Sequence, residues 1–547
     1  MADLGLLVVR ESSKLSSCDV LYNRKFVSVS LVKFHAELFE AVTRILDSST
    51  KVTEDEIQLF FESLWGEYQL VVFQYFIRWK EALWRDSARQ RKKCYVEFRK
   101  LRDRSQQLFK KFHRLYYSII EYITARYDIS NAIPVHILGK LNLDKVSHRT
   151  KQMPTVVVSD RYSITTRNVT CVFYHCLINL GRIHYCQKMV EEPIHHEMSR
   201  CEFTKAERYL TAATIIIPAL STSYTQLYVI NNKKRNYLEA IYQLVRSSRT
   251  RIGNAKATET LQFFFKLNNI EKLFQEQKDI DGVGQVTWYT FMLISYHMDV
   301  SLRRSTAVES QKSKANVQKL LNQALHNHVP QIIDKVFQIM VILIGTFHTM
   351  LSVDLPEIEN LHAVNVNKLH YFHSDYLEFI FEYFITLIDN VATDDHASEI
   401  APLAIVRLMI GWIKCNRPVL HKAHRHVVLC TRLAMLVNVL IKKLQQNGIT
   451  QWSIKPTRSY YFKEDVLLKN FSCIRDHLTD FMDDEIDRKR RNIINRLAGF
   501  PPRKERLDFQ GENSLRSQAV VAALIKFLSS NNSNTRWNDD MRVFDIS

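Results

Sequence analysis

Apolar residues recur at three- and four-residue spacing along most of this chain, and the polar breaks between such runs are short. In Leu59-Phe60-(x3)-Leu64-Trp65-(x2)-Tyr68-(x2)-Val71-Val72-(x2)-Tyr75-Phe76 the apolar positions keep one helical stripe. Tyr376, Phe379, Ile380, Phe384, Leu387 and Ile388 share a face in the same way. Ser/Thr-rich or charged breaks fall near 146–168, 303–316, 391–402, 445–455 and 499–514. Asp354 and Pro356 mark one helix start and Pro402 another, because proline fits a first turn whose N–H groups have no partner anyway. Alternating patterns are short and few, with Thr155-Val156-Val157-Val158 the best strand candidate. The predicted class is all-α, in two packed lobes.

One internal repeat is legible. Tetratricopeptide repeats are helix pairs of about 34 residues whose small side chains allow close packing and whose exit carries a proline. Ala206, Leu210, Ala213 and Pro218 fit the second helix and exit of such a unit. Its first helix contains Cys176-Leu177-Ile178-Asn179-Leu180-Gly181, with residues 191–201 inserted between the two. Leu227, Ala240 and Leu244 continue the register into a second unit.

Composition supports the helical reading. Gly 12 and Pro 11 in 547 residues leave few tight turns, which argues against sandwiches, barrels and glycine-loop nucleotide folds. Nine cysteines show no disulfide rhythm, as expected in a reducing compartment. Met1-Ala2-Asp3-Leu4 lacks the basic flank and apolar run of a signal peptide. The longest apolar run, Ile339 to Ile344, is far short of the ~20 residues that span a bilayer. A soluble intracellular protein without membrane contact is predicted.

Charge narrows the partners. A formal net charge of +18 favours nucleic acid or an acidic protein surface. The densest cluster, Arg78 to Arg114, holds fourteen Lys/Arg against four acids, with Trp79, Trp84, Tyr95, Phe98, Phe109 and Phe112 interleaved. Arg89, Arg91, Lys92, Lys93, Arg99, Lys100, Arg102 and Arg104 are its candidate nucleic-acid contacts; the other reading is an amphipathic helix with a solvated basic face. A second cluster is Arg407, Lys414, Arg417, His421, Lys422 and Arg425, of which 414, 417, 421 and 425 share one side of a helix. That stripe fits an acidic peptide, a phosphate chain or nothing. A third is the acidic run 480–487, read as solvated, leading into Arg488-Lys489-Arg490-Arg491, readable as a nuclear-import signal or a nucleic-acid patch.

Catalytic and metal signatures are absent from the sequence. Gly282-(x1)-Gly284 lacks the third glycine and the strand of a dinucleotide loop, and no P-loop lysine motif occurs. Cys171, Cys176 and Cys186 with His175 and His184, or His424, His426 and Cys430, have the wrong spacing for zinc. No enzyme, no cofactor and no metal are expected.

Cys176 to Gly181, Ala206-(x2)-Tyr209-Leu210-(x2)-Ala213-(x4)-Pro218 and Tyr224-(x1)-Gln226-Leu227 resemble the family uniting budding-yeast Ever Shorter Telomeres subunits with SMG-type nonsense-mediated-decay factors. The telomerase branch is favoured by Arg407-Leu408-Met409-(x2)-Trp412-Ile413-Lys414, His424-Arg425-His426, Arg458-Ser459-Tyr460-(x1)-Phe462-(x1)-Glu464-Asp465 and Phe471-Ser472-Cys473-Ile474. Leu478-Thr479-Asp480-Phe481 and Trp537-Asn538 point the same way.

The resemblance implies a 14-3-3-like, tetratricopeptide-type helical domain at 1–255 packed on a second helical-bundle domain at 256–547. It also implies a non-catalytic telomerase regulatory subunit in the nucleus, at telomeres. The implied partners are the telomerase RNA, the telomerase catalytic-subunit complex and the telomere single-strand-binding protein, the last through an acidic peptide at Lys414, Arg417, His421, Arg425 and Arg407. Single-stranded telomeric DNA is a further candidate ligand. The alternative is a decay-type adaptor. Decay-branch members carry an Arg-Tyr pair of a phosphoserine pocket where this chain has Tyr185 and Cys186, so that pocket is not expected here. Family members usually continue into a polar tail past the point where this sequence ends, at Ser547.

Overall fold

The computed structural model describes residues 2–16, 26–47, 52–90, 94–127, 164–191, 202–276, 282–299, 307–327, 331–358, 360–393, 400–449, 462–474, 509–530, 535–538, 541 and 543–546, with isolated positions at 129, 133, 137, 139 and 141. They fall into two compact units that divide between Asn236 and Tyr237. The strand candidate at Thr155 to Val158 lies outside the described residues, as do the insertion from 192 to 201 and the acidic–basic run at 480–491.

The N-terminal unit is built from helices: α1 (Ala2–Ser13), α2 (Leu31–Asp47), α3 (Glu54–Ser63), α4 (Leu70–Gln90), α5 (Tyr95–Arg126), α6 (Ile164–Glu191), α7 (Thr204–Ile216) and α8 (Thr222–Lys233). Local chemistry sets α3: the Thr53 hydroxyl accepts from Glu56 N at 3.2 Å while Glu56 accepts from Thr53 N at 2.7 Å, which satisfies two of the N–H groups that a helix start leaves over. Of the stripe read from Leu59 to Phe76, Phe60, Leu64, Tyr68, Val72 and Phe76 are buried while Leu59 and Val71 are exposed, and α3 and α4 are joined through wide π turns at Leu64–Gln69 rather than by one uniform helix.

Helix α6 lies at the centre of this unit, packed by α2, α3, α4, α5, α7 and α8. It is buried on every side over residues 168–183, which is why its sequence shows no one-sided apolar stripe. The repeat-type packing is explicit at Gly181, where a Cβ would stand 2.6 Å from Leu210 Cγ on α7. Ala206 and Ala213 are buried on the same helix. The small residues are therefore what lets α6 and α7 approach, as the repeat pattern predicted. Asn168, read from sequence as part of a break, is instead buried inside α6.

The C-terminal unit begins with α9 (Tyr237–Ser248), α10 (Ala255–Phe264), α11 (Leu267–Glu276), α12 (Gly282–Met298), α13 (Ala307–His326), α14 (Ile332–Asp354) and α15 (Tyr371–Thr393). It continues with α16 (Ile400–Cys415), α17 (Arg417–Arg425), α18 (Val427–Gln446), α19 (Lys463–Leu468), α20 (Phe509–Ser529) and a hairpin of β1 (Thr535–Asn538) and β2 (Val543–Ile546), in register Trp537 with Phe544. Helix α9 packs on α14, and a Cβ on Gly345 would collide with Val245 Cγ1, so the glycine is what lets the two helices approach.

Three local expectations change. Asp354 and Pro356 end a helix rather than start one, with Pro356 just past the C-cap Leu355. The break at 303–316 is helical from Ala307, since Ser310 and Ser313 turn inward and packing of α13 on α12 outweighs their modest propensity. The apolar run Ile339 to Ile344 belongs to a helix that, by length and composition, could cross a membrane. In the fold α14 is a core helix, packed by α9, α12, α15 and α16, and 78% of its most apolar window is buried.

Candidate nucleic-acid and partner interfaces

The basic segment read from Arg78 onward forms two helices, the end of α4 and most of α5. Its aromatics serve the core. Phe109 and Phe112 are buried against Phe73, with ring centroids 5.2 and 5.0 Å from it, and Trp84 meets Phe98 at 6.1 Å. The exception is Tyr95, 68% exposed at the first turn of α5. The cations divide differently: Arg89, Arg99, Lys100 and Arg102 are exposed, Lys100 pairs with Glu97 at 2.6 Å, and Arg104 lies 5.7 Å over the Trp79 ring. Arg91, Lys92 and Lys93 lie outside the described residues.

Helical geometry extends this surface beyond the residues that the sequence singled out. Arg99, Arg102, Gln106, Lys110 and Arg114 are all exposed and follow at three- and four-residue steps, so one face of α5 carries four cations over about 22 Å at 1.5 Å per residue. The chemistry such a face offers a polyanion is phosphate neutralisation with release of counterions.

The second cluster does not form a single stripe. Asn416 follows the last residue of α16 and stands at the N-cap position of α17 with its side chain bonded elsewhere, so Lys414 sits on the last turn of one helix and Arg417, His421 and Arg425 on the next. Asn416 enforces the break: its amide donates to Trp412 O at 2.6 Å and to Cys473 O at 3.1 Å, and its Oδ1 meets His362 Nδ1 at 2.6 Å. Arg417 and Arg425 are exposed, His421 is half-buried, and Lys422 pairs with Glu378 at 3.3 Å. No acid occurs in α17. Lys414 donates to Ala523 O at 2.8 Å, which ties the end of α16 to α20.

Arg407 stands apart from this surface. It is buried and pairs with Glu464 at 2.5 Å and with Asp465 at 3.0 Å. Arg516 of α20, also buried, reaches the same Glu464 through two nitrogens at 2.9 Å each. The two guanidinium groups flank the Phe462 ring at 4.4 and 4.5 Å. Burial would raise the Glu464 carboxyl, but Arg407 and Arg516 hold it below its ordinary range. Phe462, Glu464 and Asp465 of the resemblance are thus a structural clasp that fixes α16, α19 and α20 together. Arg516 was invisible from sequence, since nothing local marks a lone arginine as the second half of a distant pair.

Of the residues weighed for zinc, Cys171, His175, Cys176, Cys186 and Cys430 are buried, and His184, His424 and His426 are half-buried. Among the described residues no three His, Cys, Asp or Glu side chains cluster as a metal site would require. Burial pushes the Cys186 thiol up to about 12 and His175 down to about 3, leaving both neutral. Tyr185 packs on Phe203 at 5.5 Å, and the nearby Arg182 is committed to Glu62 at 3.2 Å. Neither presents a phosphate grip.

Comparison with known proteins places the chain in a family. A sequence model described as "Telomerase activating protein Est1" matches residues 59–191, which contain the α5 rod. One described as "Est1 DNA/RNA binding domain" matches residues 206–478, which contain α17. "Telomere elongation protein EST1" of Saccharomyces cerevisiae is 28% identical over 513 residues, covering 91% of this chain and 72% of that protein. "Nonsense-mediated mRNA decay factor EBS1" of the same yeast is 24% identical over 518 residues, covering 89% of this chain and 57% of that protein. The fold matches the solved structure titled "Crystal structure of Est1 and Cdc13" with a TM-score of 0.76 at 22% identity, over 100% of this chain and 99% of that one. On these matches, the chain belongs to the Est1, or Ever Shorter Telomeres, family of telomere-elongation proteins.

Proposed function

We propose that this chain is a non-catalytic telomerase regulatory subunit. It binds the telomerase RNA and bridges the enzyme complex to the telomere single-strand-binding protein, in the nucleus at telomeres. The observation that carries the RNA reading is the exposed cationic face of α5, whose aromatics apart from Tyr95 pack inward, so that phosphate contact is its main chemistry. Bridging is supported by α17, an acid-free basic helix beside Lys414, and by a fold shared with an Est1 solved together with Cdc13. An acidic peptide is the partner that this charge pattern suits. The residues at 1–255 then carry the basic face of α5, and those at 256–547 the recruitment surface together with further nucleic-acid-binding surface.

The test pairs two surfaces in one protein. RNA binding across a salt series is expected to weaken and shallow in Arg99→Glu/Arg102→Glu, by about one unit of log–log slope for each phosphate that is no longer neutralised. Recruitment-peptide binding is expected to fall at least tenfold in Arg417→Glu/Arg425→Glu with RNA affinity retained. An RNA slope identical to wild type would remove α5 as the RNA surface. A peptide affinity unchanged by the α17 variant would remove the bridge.

A further inference from the structure

Phenylalanines 263, 264 and 265 stand in a row at the end of α10, and the fold uses only two of them. Phe265 is buried and meets Phe291 edge-on at 5.7 Å; Phe264 packs on Phe291 at 5.9 Å and on Tyr237 at 6.4 Å. Phe263 projects the other way and is 63% exposed. Its backbone is held firmly. Its carbonyl accepts from the Asn269 amide at 2.7 Å and from Lys266 N at 3.3 Å, and Phe265 N also caps toward it. The Lys266 ammonium lies 5.7 Å from the centre of the Phe263 ring. Lys256, two turns earlier on the same face of α10, is exposed, as is Glu259 between them.

We infer that Phe263 and Lys266 form a stacking platform for an unpaired base of a single-stranded nucleic acid. An exposed ring accepts any base, and the Lys266 ammonium held over that ring meets the phosphate that follows the base. Lys256 supplies a second phosphate contact along the strand. The rigid carbonyl anchoring means that little ordering remains to oppose binding. Nothing about the platform selects ribose over deoxyribose, so the ligand is defined by its unpaired base. This rests on the nucleic-acid-binding reading above, but it uses residues of the C-terminal unit that the α5 surface does not share.

The experiment measures binding of the full chain to a short single-stranded RNA, a single-stranded DNA of the same sequence and a blunt duplex, each across a salt series. Phe263→Ala is expected to weaken single-strand binding about tenfold with an unchanged salt slope, because stacking releases no counterions. Phe263→Trp should restore affinity, and the duplex should be indifferent to both. Lys266→Gln should reduce the slope by about one. Weakening with RNA, with DNA or with both supports the platform and identifies the strand it takes. Wild-type binding that Phe263→Ala leaves untouched overturns the platform alone, as does equal weakening of the duplex. No binding of either strand by wild type overturns it together with the nucleic-acid reading. Thermal unfolding of Phe263→Ala should match wild type, since the ring is exposed.

Discussion

Helices α5 and α16–α17 have similar basic composition and opposite fates. On α5 the fold turns Arg99, Arg102, Lys110 and Arg114 to water and spends the aromatics inside. At α16–α17 it buries Arg407 in an ion-paired clasp, ties Lys414 to a carbonyl of α20, and leaves Arg417 and Arg425 exposed. A count of cations therefore overstates a binding surface wherever some of them hold helices together. The lysine of the Trp-Ile-Lys motif combines both uses: it lies beside the exposed arginines yet already has a partner in its own fold.

The comparison breaks most visibly at Glu464. Glu464→Ala would leave Arg407 and Arg516 buried without their shared counter-charge, at a cost of about 3–5 kcal/mol, whereas no single α5 cation should approach that. Denaturant unfolding followed in the C-terminal unit checks it; an unchanged midpoint would show that the clasp does not hold α20. The sign with pH follows from the lowered carboxyl. Its stabilisation is complete above the ordinary carboxylate range and is lost as pH falls through the lowered value, so the deficit of the variant should shrink in acid.

Acid should affect the N-terminal unit next. Burial takes His35 and His175 from 6.5 to about 3, so both stay neutral when folded but charge in the unfolded chain below pH 6.5. Each then removes about 1.4 kcal/mol of stability per pH unit below that value. His175 stacks on Phe61 at 5.0 Å, so His175→Phe should keep the packing and flatten the pH dependence by one histidine's share. Parallel profiles for variant and wild type between pH 7 and 5 would refute this.

The smallest expected difference sharpens the comparison most. Lys414→Met should cost about 1 kcal/mol because its bond to Ala523 O is removed, while Arg99→Met should stay within about 0.5 kcal/mol. Equal unfolding midpoints for the two would mean that Lys414, like Arg99, serves only the surface. Binding assays on Lys414 variants should accordingly carry a stability control.

How much was legible follows from where the information lies. Spacing and low glycine determined the all-helical class, and small residues at Ala206 and Ala213 with Gly181 announced the close α6–α7 packing, because helix periodicity and steric approach are local properties. The α5 surface was half legible: its charge was plain, but the division between wet cations and buried aromatics depends on which face meets α4 and α6.

The sequence by itself determined the helices, the basic excess and the family resemblance, since each is written in residue type and spacing over a few turns. Only the tertiary structure decided the rest: that Arg407 belongs to Glu464 and Arg516 from α19 and α20, that Asn416 separates Lys414 from its expected neighbours, and that Phe263 faces outward while Phe265 does not. The reason is physical. A charge or a ring is defined by its residue, but whether it is exposed or paired depends on segments that lie tens or hundreds of residues away.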